Sequence, residues 1–552
     1  IGFDEYTALD IVDILFPHET NSPNIPPRNN IYHQADDITV SSNSPQERRG
    51  RDNVRSRFSG NLGESSSTTA RSRSSSANGR RSFGSQMFSP PFLPRNSTAV
   101  DPRGGRSGYI GSGRSMMSGV STHISDDDCL SEIASVYAKA LNNTQDRENY
   151  QKLLTYVDEE DNPYAEGFLM RLLALGHGGL DKNISKATKY AIKLLPWMKD
   201  VIQETEMIPH NTSSMYCKYF LGTCYAEGLS IPKDPKLAFK WYKLSAEQGY
   251  DAAQAYIGYC YYSGKGVVKD AEECVKWYRK SAAQGFASAQ CNLGMCYETG
   301  EGVAKDMNEA LRWYELSAKQ GNCTAQYNLA LCYELGKGTP INLPLSLKYY
   351  QLAAEQDHAV AQYTIGMMYL NGYSSIVSAN SELGFYWLQR SSNKGYSKAH
   401  TSLGTCYEKG IGVEQNYELA IYYYQLGVDH GDFNGNYYLG FIYFNSLGVP
   451  KDYKKAVTYY RIAAEKGHAA AQNNLGYCYF QGLGVEKHAF QAVQWYEKAA
   501  EQGYTPAQYN LGYCYEKGYG VVRRQKEMLK WYRLAANNGH EKAMNALQKF
   551  TV

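Results

Sequence analysis

The sequence predicts an all-α chain in which a solenoid of helix-turn-helix repeats follows a disordered N-terminal arm. The pentapeptide LGYCY at residue 511 recurs, with substitutions, in nine units from residue 221 onwards. The spacing is 36 residues, except for one interval of 38. By contrast, residues 31–124 are rich in serine, glycine and arginine and lack apolar periodicity. Self-similarity at a fixed period of this length is typical of solenoids of helical repeats.

The first 124 residues contain little that predicts a packed fold. Within residues 1–30, one amphipathic piece, EYTALDIVDILF, predicts a short helix or the remnant of an upstream domain. Residues 31–124 cannot bury enough apolar surface to offset the entropy cost of ordering, which is why this arm is predicted to be disordered. Its candidate phosphosites, in Arg-x-x-Ser or Ser-Pro contexts, are Ser44, Ser74, Ser76 and Ser89. The alternative is a solvated linker with chance motifs.

Charge and cysteine content narrow the class of protein. The formal net charge is only +2, and the thirteen arginines of residues 41–124 are not interleaved with aromatic residues in a fold, so no nucleic-acid partner is expected. The sequence contains no run of about 18 apolar residues, so no membrane span is predicted. Twelve cysteines without a secretory signal favour reduced thiols and a cytoplasmic location.

Three helical patterns follow the arm, and residues 125–212 are interpreted as a divergent helical N-terminal cap. The repeats occupy residues 213–540, and residues 541–552 predict a C-terminal capping helix. Within the cap, residues 165–194 fit an earlier, divergent repeat in which Arg171 takes the place of the small residue of the pentapeptide.

Each repeat predicts two helices, A and B, which we describe by offsets from that small residue, position 0. Offsets −5, −1, +2 and +3 share one face and predict the buried stripe of helix A, where the glycine at 0 allows close approach of a neighbouring helix. Glycines at +6 and +8 predict a turn, Asp at +12 predicts the N-cap of helix B, and glycine at +27 predicts its end. Position 0 is occupied by Gly222, Gly258, Gly294, Ala330, Gly366, Gly404, Gly440, Gly476 and Gly512.

One unit in full, AAAQNNLGYCYFQGLGVEKHAFQAVQWYEKAAEQG, resembles the Sel1-like repeat, a relative of the tetratricopeptide repeat. The resemblance covers residues 213–552. It implies a right-handed α/α superhelical solenoid of about nine 36-residue repeats, each an antiparallel helix pair.

The motifs that suggest chemistry have simpler structural interpretations. The Gly-x-Gly follows a helix and lacks a Gly-Lys-Ser/Thr, so it is not a phosphate loop. No Cys-x-x-Cys or paired histidine spacing predicts zinc, and no catalytic constellation stands out. We therefore expect no enzyme, no cofactor, no metal and no catalytic residue. The motif cysteines, predicted to be small buried residues, are Cys224, Cys260, Cys296, Cys332, Cys406, Cys478 and Cys514.

A second face of helix A, at offsets −3, +1 and +4, carries aromatic residues where a polar face would be the default. In tetratricopeptide-like solenoids these positions line the concave groove, so protein partners are expected there. The acids at +4, Glu298, Glu334, Glu408 and Glu516, would favour a basic ligand. The alternative is that these aromatic residues pack between adjacent A helices. The predicted partner-binding residues are Tyr259, Tyr262, Tyr327, Tyr363, Tyr437, Phe441, Phe444, Tyr477, Phe480, Tyr509 and Tyr513.

These observations favour a protein-interaction scaffold or adaptor in signalling or cell-wall regulation. One alternative is the regulatory repeat region of a larger enzyme, such as a protein kinase whose catalytic domain lies upstream. Another, implied by the resemblance, is a regulator like the fungal activators of chitin synthase, and a fungal source is expected on that ground.

Overall fold

The computed structural model describes residues 126–142, 147–177, 180, 182–205 and 211–550, all of which belong to one compact unit. This part of the chain is all-helical, apart from an isolated bridge between Tyr373 and Val377 in a loop. The helices are α1 Asp126–Asn142, α2 Arg147–Asp158, α3 Pro163–Leu175, α4 Ile184–Glu204, α5 Thr212–Glu227, α6 Pro235–Glu247, α7 Asp251–Ser263, α8 Ala271–Ala283, α9 Ala287–Thr299, α10 Met307–Lys319, α11 Cys323–Leu335, α12 Leu343–Glu355, α13 Ala359–Asn371, α14 Ser381–Asn393, α15 Ser397–Lys409, α16 Tyr417–Asp429, α17 Asn434–Asn445, α18 Tyr453–Glu465, α19 Ala469–Gln481, α20 Ala489–Glu501, α21 Thr505–Lys517, α22 Gln525–Asn537 and α23 Glu541–Gln548.

The predicted α solenoid is confirmed. From α5 to α22 the odd-numbered helices are the A helices of successive repeats and the even-numbered helices are their B helices. Each helix packs on the helices before and after it in the chain, so contacts are made within one repeat or between neighbours. The predicted arm, its phosphosites Ser44, Ser74, Ser76 and Ser89, and the amphipathic piece within residues 1–30 lie outside the described residues.

In six of the nine repeats the turn after helix A is built from the two predicted glycines, and Ser230, Ser374 and Ser446 take one of these places in the other three. In the last full repeat, Gly518 has φ 77° and donates its N–H to the carbonyl of Cys514 at 2.8 Å, ending α21. Gly520 has φ 71°, and a Cβ built there would lie 2.3 Å from the carbonyl oxygen of Ala489. The second glycine therefore also lets the turn approach the first residue of the preceding B helix.

The predicted caps of the B helices are present. Asp270 is the N-cap residue of α8 and accepts a hydrogen bond from the backbone N–H of Glu273, which satisfies one free donor of the first turn. Asp234, Asp306 and Asp452 cap three other B helices in the same way.

The glycine at position 0 has a different neighbour from the one expected. A Cβ built on Gly512 would lie 2.7 Å from the ring atom Cδ1 of Tyr532, which is at +20 on helix B of the same repeat. The glycine makes room for an aromatic ring and, in repeats such as that of Gly476, also for the backbone of helix B, since a Cβ there would lie 3.1 Å from the carbonyl oxygen of Ala492. In eight of the nine repeats the +20 residue is a buried tyrosine, and Leu388 takes this place in the repeat with the longer loop.

The divergent first unit departs from the prediction for Arg171. The C-cap Gly176 of α3 donates its N–H to the carbonyl of Leu172, as Gly518 at +6 does to Cys514 at +2, so Met170 takes the glycine position and Arg171 lies at +1. The side chain of Arg171 is buried against the ring of Tyr219, 4.5 Å from the ring centroid. Its Nη1 donates to Thr223 Oγ1 at 2.9 Å and to Tyr242 Oη at 2.8 Å. The guanidinium thus ties the first unit to the repeat that follows.

Buried glutamines at −4 link one repeat to the next. Gln254 Nε2 donates to the carbonyl of Ala246 on the preceding B helix at 3.1 Å, and its Oε1 accepts from Gln284 Nε2 at 2.7 Å. One glutamine side chain therefore bridges two B helices. His400 occupies this position in the repeat of Gly404, where its Nδ1 lies 2.7 Å from Ser392 Oγ.

Candidate functional site

Helix A of each repeat exposes little surface, and the +1 position is one of the places where it does so. Seven of its nine residues are apolar or aromatic and half-buried, while the two threonines, Thr223 and Thr405, are buried. We call this set the +1 row. Its half-buried members are Tyr259, Met295, Leu331, Met367, Phe441, Tyr477 and Tyr513.

The −3 position, by contrast, packs between adjacent A helices. Tyr437 is 4% exposed, and its ring stacks on that of His468, the N-cap residue of the next A helix, with centroids 4.5 Å apart. Tyr327 with His358 and Tyr509 with His540 repeat this arrangement at 5.0 and 4.5 Å. The rings of these three predicted partner-binding tyrosines pack against neighbouring repeats, so they expose little surface to a partner. Tyr363 also belongs to this position; it remains half-buried, with its ring against Tyr396.

The acids at +4 bind tyrosine hydroxyls of their own repeats. Tyr314 Oη donates to Glu298 Oε2 at 2.8 Å, and Glu298 also pairs with Lys337 at 3.1 Å. Burial raises the pKa of Glu408, although the hydrogen bond from Tyr424 favours the charged form. These carboxylates therefore have partners already, which differs from the expectation that they recognise a basic ligand. The other pairs are Tyr350–Glu334 at 2.7 Å, Tyr424–Glu408 at 2.5 Å and Tyr532–Glu516 at 2.8 Å.

Two consecutive repeats carry phenylalanine at +4 instead, and these rings extend the +1 row sideways. Phe444 lies against Tyr477 of the next repeat with ring centroids 6.3 Å apart, and Phe480 lies 5.5 Å from Tyr519. Burial raises the pKa of Tyr477 and Tyr513, so their hydroxyls remain protonated donors at neutral pH. We call this surface the aromatic segment; it comprises Phe441, Phe444, Tyr477, Phe480 and Tyr513, all half-buried.

The N-terminal tyrosines of the predicted set lie apart from the aromatic segment. Tyr259 accepts a hydrogen bond from Lys265 Nζ at 2.7 Å, and the ammonium lies 4.9 Å from the ring centroid. Burial raises the pKa of its neighbour Tyr262 to about 12. The structure thus leaves two aromatic regions on this face, and the C-terminal one is larger.

The tyrosines at +3 were expected in the buried stripe, but they are half-buried on another face of helix A. Tyr443 stacks on Tyr459 of its own repeat with ring centroids 5.9 Å apart and an interplanar angle of 9°. Tyr407 and Tyr423 stack in the same way at 5.4 Å. These pairs join helix A to helix B, so their main role is in packing.

The motif cysteines are unsuited to nucleophilic chemistry. All are free and buried, and burial raises the pKa of Cys478 and Cys514 to about 12, which keeps the thiols protonated. Among the described residues, no group of three or more His, Cys, Asp or Glu side chains is placed to hold a metal ion. None of the described helices has both the length and the apolar character that crossing a membrane requires.

Comparison with known proteins identifies the repeat. The family model described as Sel1 repeat matches ten segments, together more than half of the chain, and the first of them covers the divergent unit around Arg171. The structure of a protective antigen of uropathogenic Escherichia coli, described as displaying an SLR fold, is 31% identical with a TM-score of 0.54, over 77% of this chain and 87% of that one. The segments are 169–194, 216–250, 251–286, 287–322, 324–358, 359–396, 397–432, 434–468, 469–504 and 505–540.

A Sel1 repeat protein from Oxalobacter formigenes is 28% identical with a TM-score of 0.44, over 57% of this chain and 94% of that one. No curated protein sequence matches significantly. Nothing in these matches supports the expectation of a fungal source.

Proposed function

The chain belongs to the Sel1 repeat family, and from that premise we propose that it is an interaction scaffold whose A helices bind protein partners along the +1 row. The observation that carries this proposal is the half-exposed apolar and aromatic side chain that seven of the nine repeats present at one position. A soluble helix would ordinarily place polar residues on a face that the core does not use.

The aromatic segment is the part of the +1 row on which we place the main contact. Tyrosine and phenylalanine offer large contact area at low cost in side-chain entropy, and they are enriched at the energetic centres of interfaces. The segment runs over three consecutive repeats, and its five residues include no charged side chain. An apolar or aromatic peptide segment suits this surface better than the basic ligand that the +4 acids suggested.

A triple substitution tests the proposal. We would change Phe441, Tyr477 and Tyr513 together to serine in the full chain, sparing Tyr437 because its buried ring holds neighbouring repeats together. The matched control changes Tyr443, Tyr479 and Tyr515, which are also half-buried and lie on the same three helices at +3. Partners captured by each chain are quantified by mass spectrometry, and the affinity of an identified partner is then measured directly.

We expect the triple variant to lose at least about tenfold in affinity, which corresponds to ~1.4 kcal/mol, while the control retains binding. Circular dichroism should show equal helix content in both. Equal binding by the two variants, with their folds intact, would show that the +1 row is not the binding surface.

We place this scaffold in the cytoplasm as part of the same proposal. All twelve cysteines are free, including ten that are buried, which suits a reducing compartment.

A further inference from the structure

A second departure from the repeat pattern lies on the outer face of the B helices, at offsets well separated from that of the +1 row. Five of the nine repeats hold polar or charged residues at both +15 and +18, as expected of a solvated face, and two more pair a leucine at +15 with a lysine at +18. Glu273 and Lys276 form an ion pair there at 2.8 Å, and Glu309 and Arg312 form another at 3.3 Å. These exposed pairs contribute little to stability, but they keep the face hydrated.

Two adjacent B helices break this pattern. Leu383 and Tyr386 on α14 are 41% and 49% exposed, and Leu419 and Tyr422 on α16 are 38% and 57% exposed. The two pairs stand at equivalent positions, because the longer loop before α14 shifts its numbering by two. We call these four residues the outer Leu/Tyr patch. Exposed apolar side chains at both positions on two consecutive B helices, where five other repeats carry polar or charged residues at both, mark a candidate contact site.

The borders of the patch define what can cover it. Exposed Lys348 lies on α12 to one side, and exposed Lys454 and Lys455 lie on α18 to the other. Glu382 and Glu418 stand at the N-terminal edge of the patch. An occupant that lies across the helices therefore needs an apolar centre, and acidic residues at an end would pair with a bordering lysine.

A second copy of the chain does not meet this requirement. Two such patches placed face to face by a two-fold axis would bring the lysines at the borders of one copy against lysines of the other. Like charges held at the rim oppose association.

One segment of this chain has the required chemistry. In residues 4–16, DEYTALDIVDILF, Ala8, Ile11, Val12 and Leu15 fall on one helical face, with Asp10 and Asp13 on the opposite side. Asp4 and Glu5 supply acids at its start, and no Lys or Arg is present. The segment lies outside the described residues.

Its dimensions also fit. As a helix, these 13 residues would be about 20 Å long, at 1.5 Å per residue. The borders on α12 and α18 are three helix spacings apart, or roughly 27 Å at ~9 Å each, and lysine side chains span the difference. The 109 residues from 17 to 125 set no limit on reach. We propose that residues 4–16 dock on the outer Leu/Tyr patch of the same chain.

Hydroxyl-radical footprinting of the full chain tests this docking, because Tyr386 and Tyr422 are themselves the reactive probes. One variant carries Ile11→Asp and Leu15→Asp on the apolar face of the segment. The matched control carries Thr7→Asp and Ile14→Asp, which add the same charge on the other side. Tyr519, which is 43% exposed on the +1 side of the solenoid, serves as an internal reference.

We expect both patch tyrosines to react about fivefold more slowly in the wild type and the control than in the Ile11/Leu15 variant, as for a tethered site that is occupied four-fifths of the time. A synthetic peptide of residues 1–20 should restore the slow rate in that variant. Equal rates in all three chains would overturn the proposal. So would protection that rises with protein concentration together with a doubled mass in light scattering, because a second copy would then be the occupant.

Discussion

The buried hydroxyl of Tyr314 donates a hydrogen bond to the carboxylate of Glu298 across 2.8 Å, which joins α10 to α9 within one repeat. Tyr496 occupies the same position five repeats later, but Phe480 stands where the acid would be. The Tyr496 hydroxyl is buried without a hydrogen-bond partner. One fold thus contains the same tyrosine with and without its acceptor.

Removing the two hydroxyls should change the free energy of unfolding by different amounts. Tyr314→Phe removes the donor to Oε2 of the buried Glu298, while Lys337 still pairs with Oε1, so we expect a loss of about 1.5–3 kcal/mol in the free energy of unfolding. Tyr496→Phe removes an unsatisfied hydroxyl, so the change should be within about 0.5 kcal/mol or stabilising. Urea unfolding followed by circular dichroism measures both. Equal losses would contradict the assignment of the hydrogen bond.

Supplying the missing acid should create the interaction in a repeat that lacks it. Phe480→Glu places a carboxylate at +4 below Tyr496, and a double-mutant cycle with Tyr496→Phe isolates the new contact from the loss of the phenylalanine ring. We expect a favourable coupling of about 1–2 kcal/mol. A coupling energy near zero would mean that the backbone of this repeat cannot bring the two groups together.

These pairs show what the sequence could predict and what it could not. The period alone predicts both helices, the glycine turns and the aspartate caps, because those depend on neighbours within a few residues. The burial of Tyr437 depends on His468, which is 31 residues away in the next repeat. A signal was nonetheless present, since histidine follows the −3 tyrosine at this distance in Tyr327–His358, Tyr437–His468 and Tyr509–His540.

The irregular repeats carried a weaker signal. His400 replaces a glutamine of the inter-repeat links, and the ring of His430 lies 4.9 Å from its own. The outer Leu/Tyr patch is visible in the sequence only when +15 and +18 are compared across all nine repeats. Helical periodicity could not find it, because residues on an exposed face leave the core pattern unchanged.

Acid should destabilise the link that His400 forms between two repeats. Burial, followed by the charge of nearby His430, lowers the pKa of His400 from 6.5 to about 4, so the folded chain holds the neutral imidazole. As the pH falls, the unfolded chain therefore binds a proton at His400 before the folded chain does. Stability from His400 is therefore fully present above pH 6.5 and is lost as pH falls towards about 4, by at most ~3 kcal/mol.

The substitution His400→Gln restores the residue of the other links and should flatten the dependence of unfolding free energy on pH between 6.5 and 4. His358 and His177 titrate in the same direction, so the difference from wild type is the quantity to measure. His488→Asn, which keeps a helix cap at an exposed position, is the control. If the curves of unfolding free energy against pH were parallel for wild type and His400→Gln, the link at His400 would be excluded as a source of acid sensitivity.

The motif cysteines should resist thiol reagents until the chain unfolds. Burial raises the pKa of six of them from 9.0 to about 12, so at pH 8 the native thiolate fraction falls by a factor of about 10³. We expect a correspondingly slow reaction with a disulfide reagent in buffer and a rapid one in guanidinium. Peptide mapping identifies the modified positions. Rapid native modification of any of the six would contradict their packing. They are Cys224, Cys260, Cys332, Cys406, Cys478 and Cys514.

Two glycines with similar backbone angles allow the cost of left-handed backbone strain to be measured separately from the cost of steric crowding. Gly302 at +8 has φ 69°, and a Cβ there would lie 2.0 Å from the carbonyl oxygen of Ala271; Gly321 at +27 has φ 89° with nothing within 4 Å. Gly321→Ala should cost only the left-handed strain, about 1 kcal/mol. Gly302→Ala adds a backbone clash with the preceding B helix, so the loss should be about 3 kcal/mol or more. Thermal and urea unfolding measure the loss of stability in the two variants. Equal losses would show that the turn can move away from the preceding B helix, so that its contact between repeats does not contribute to stability.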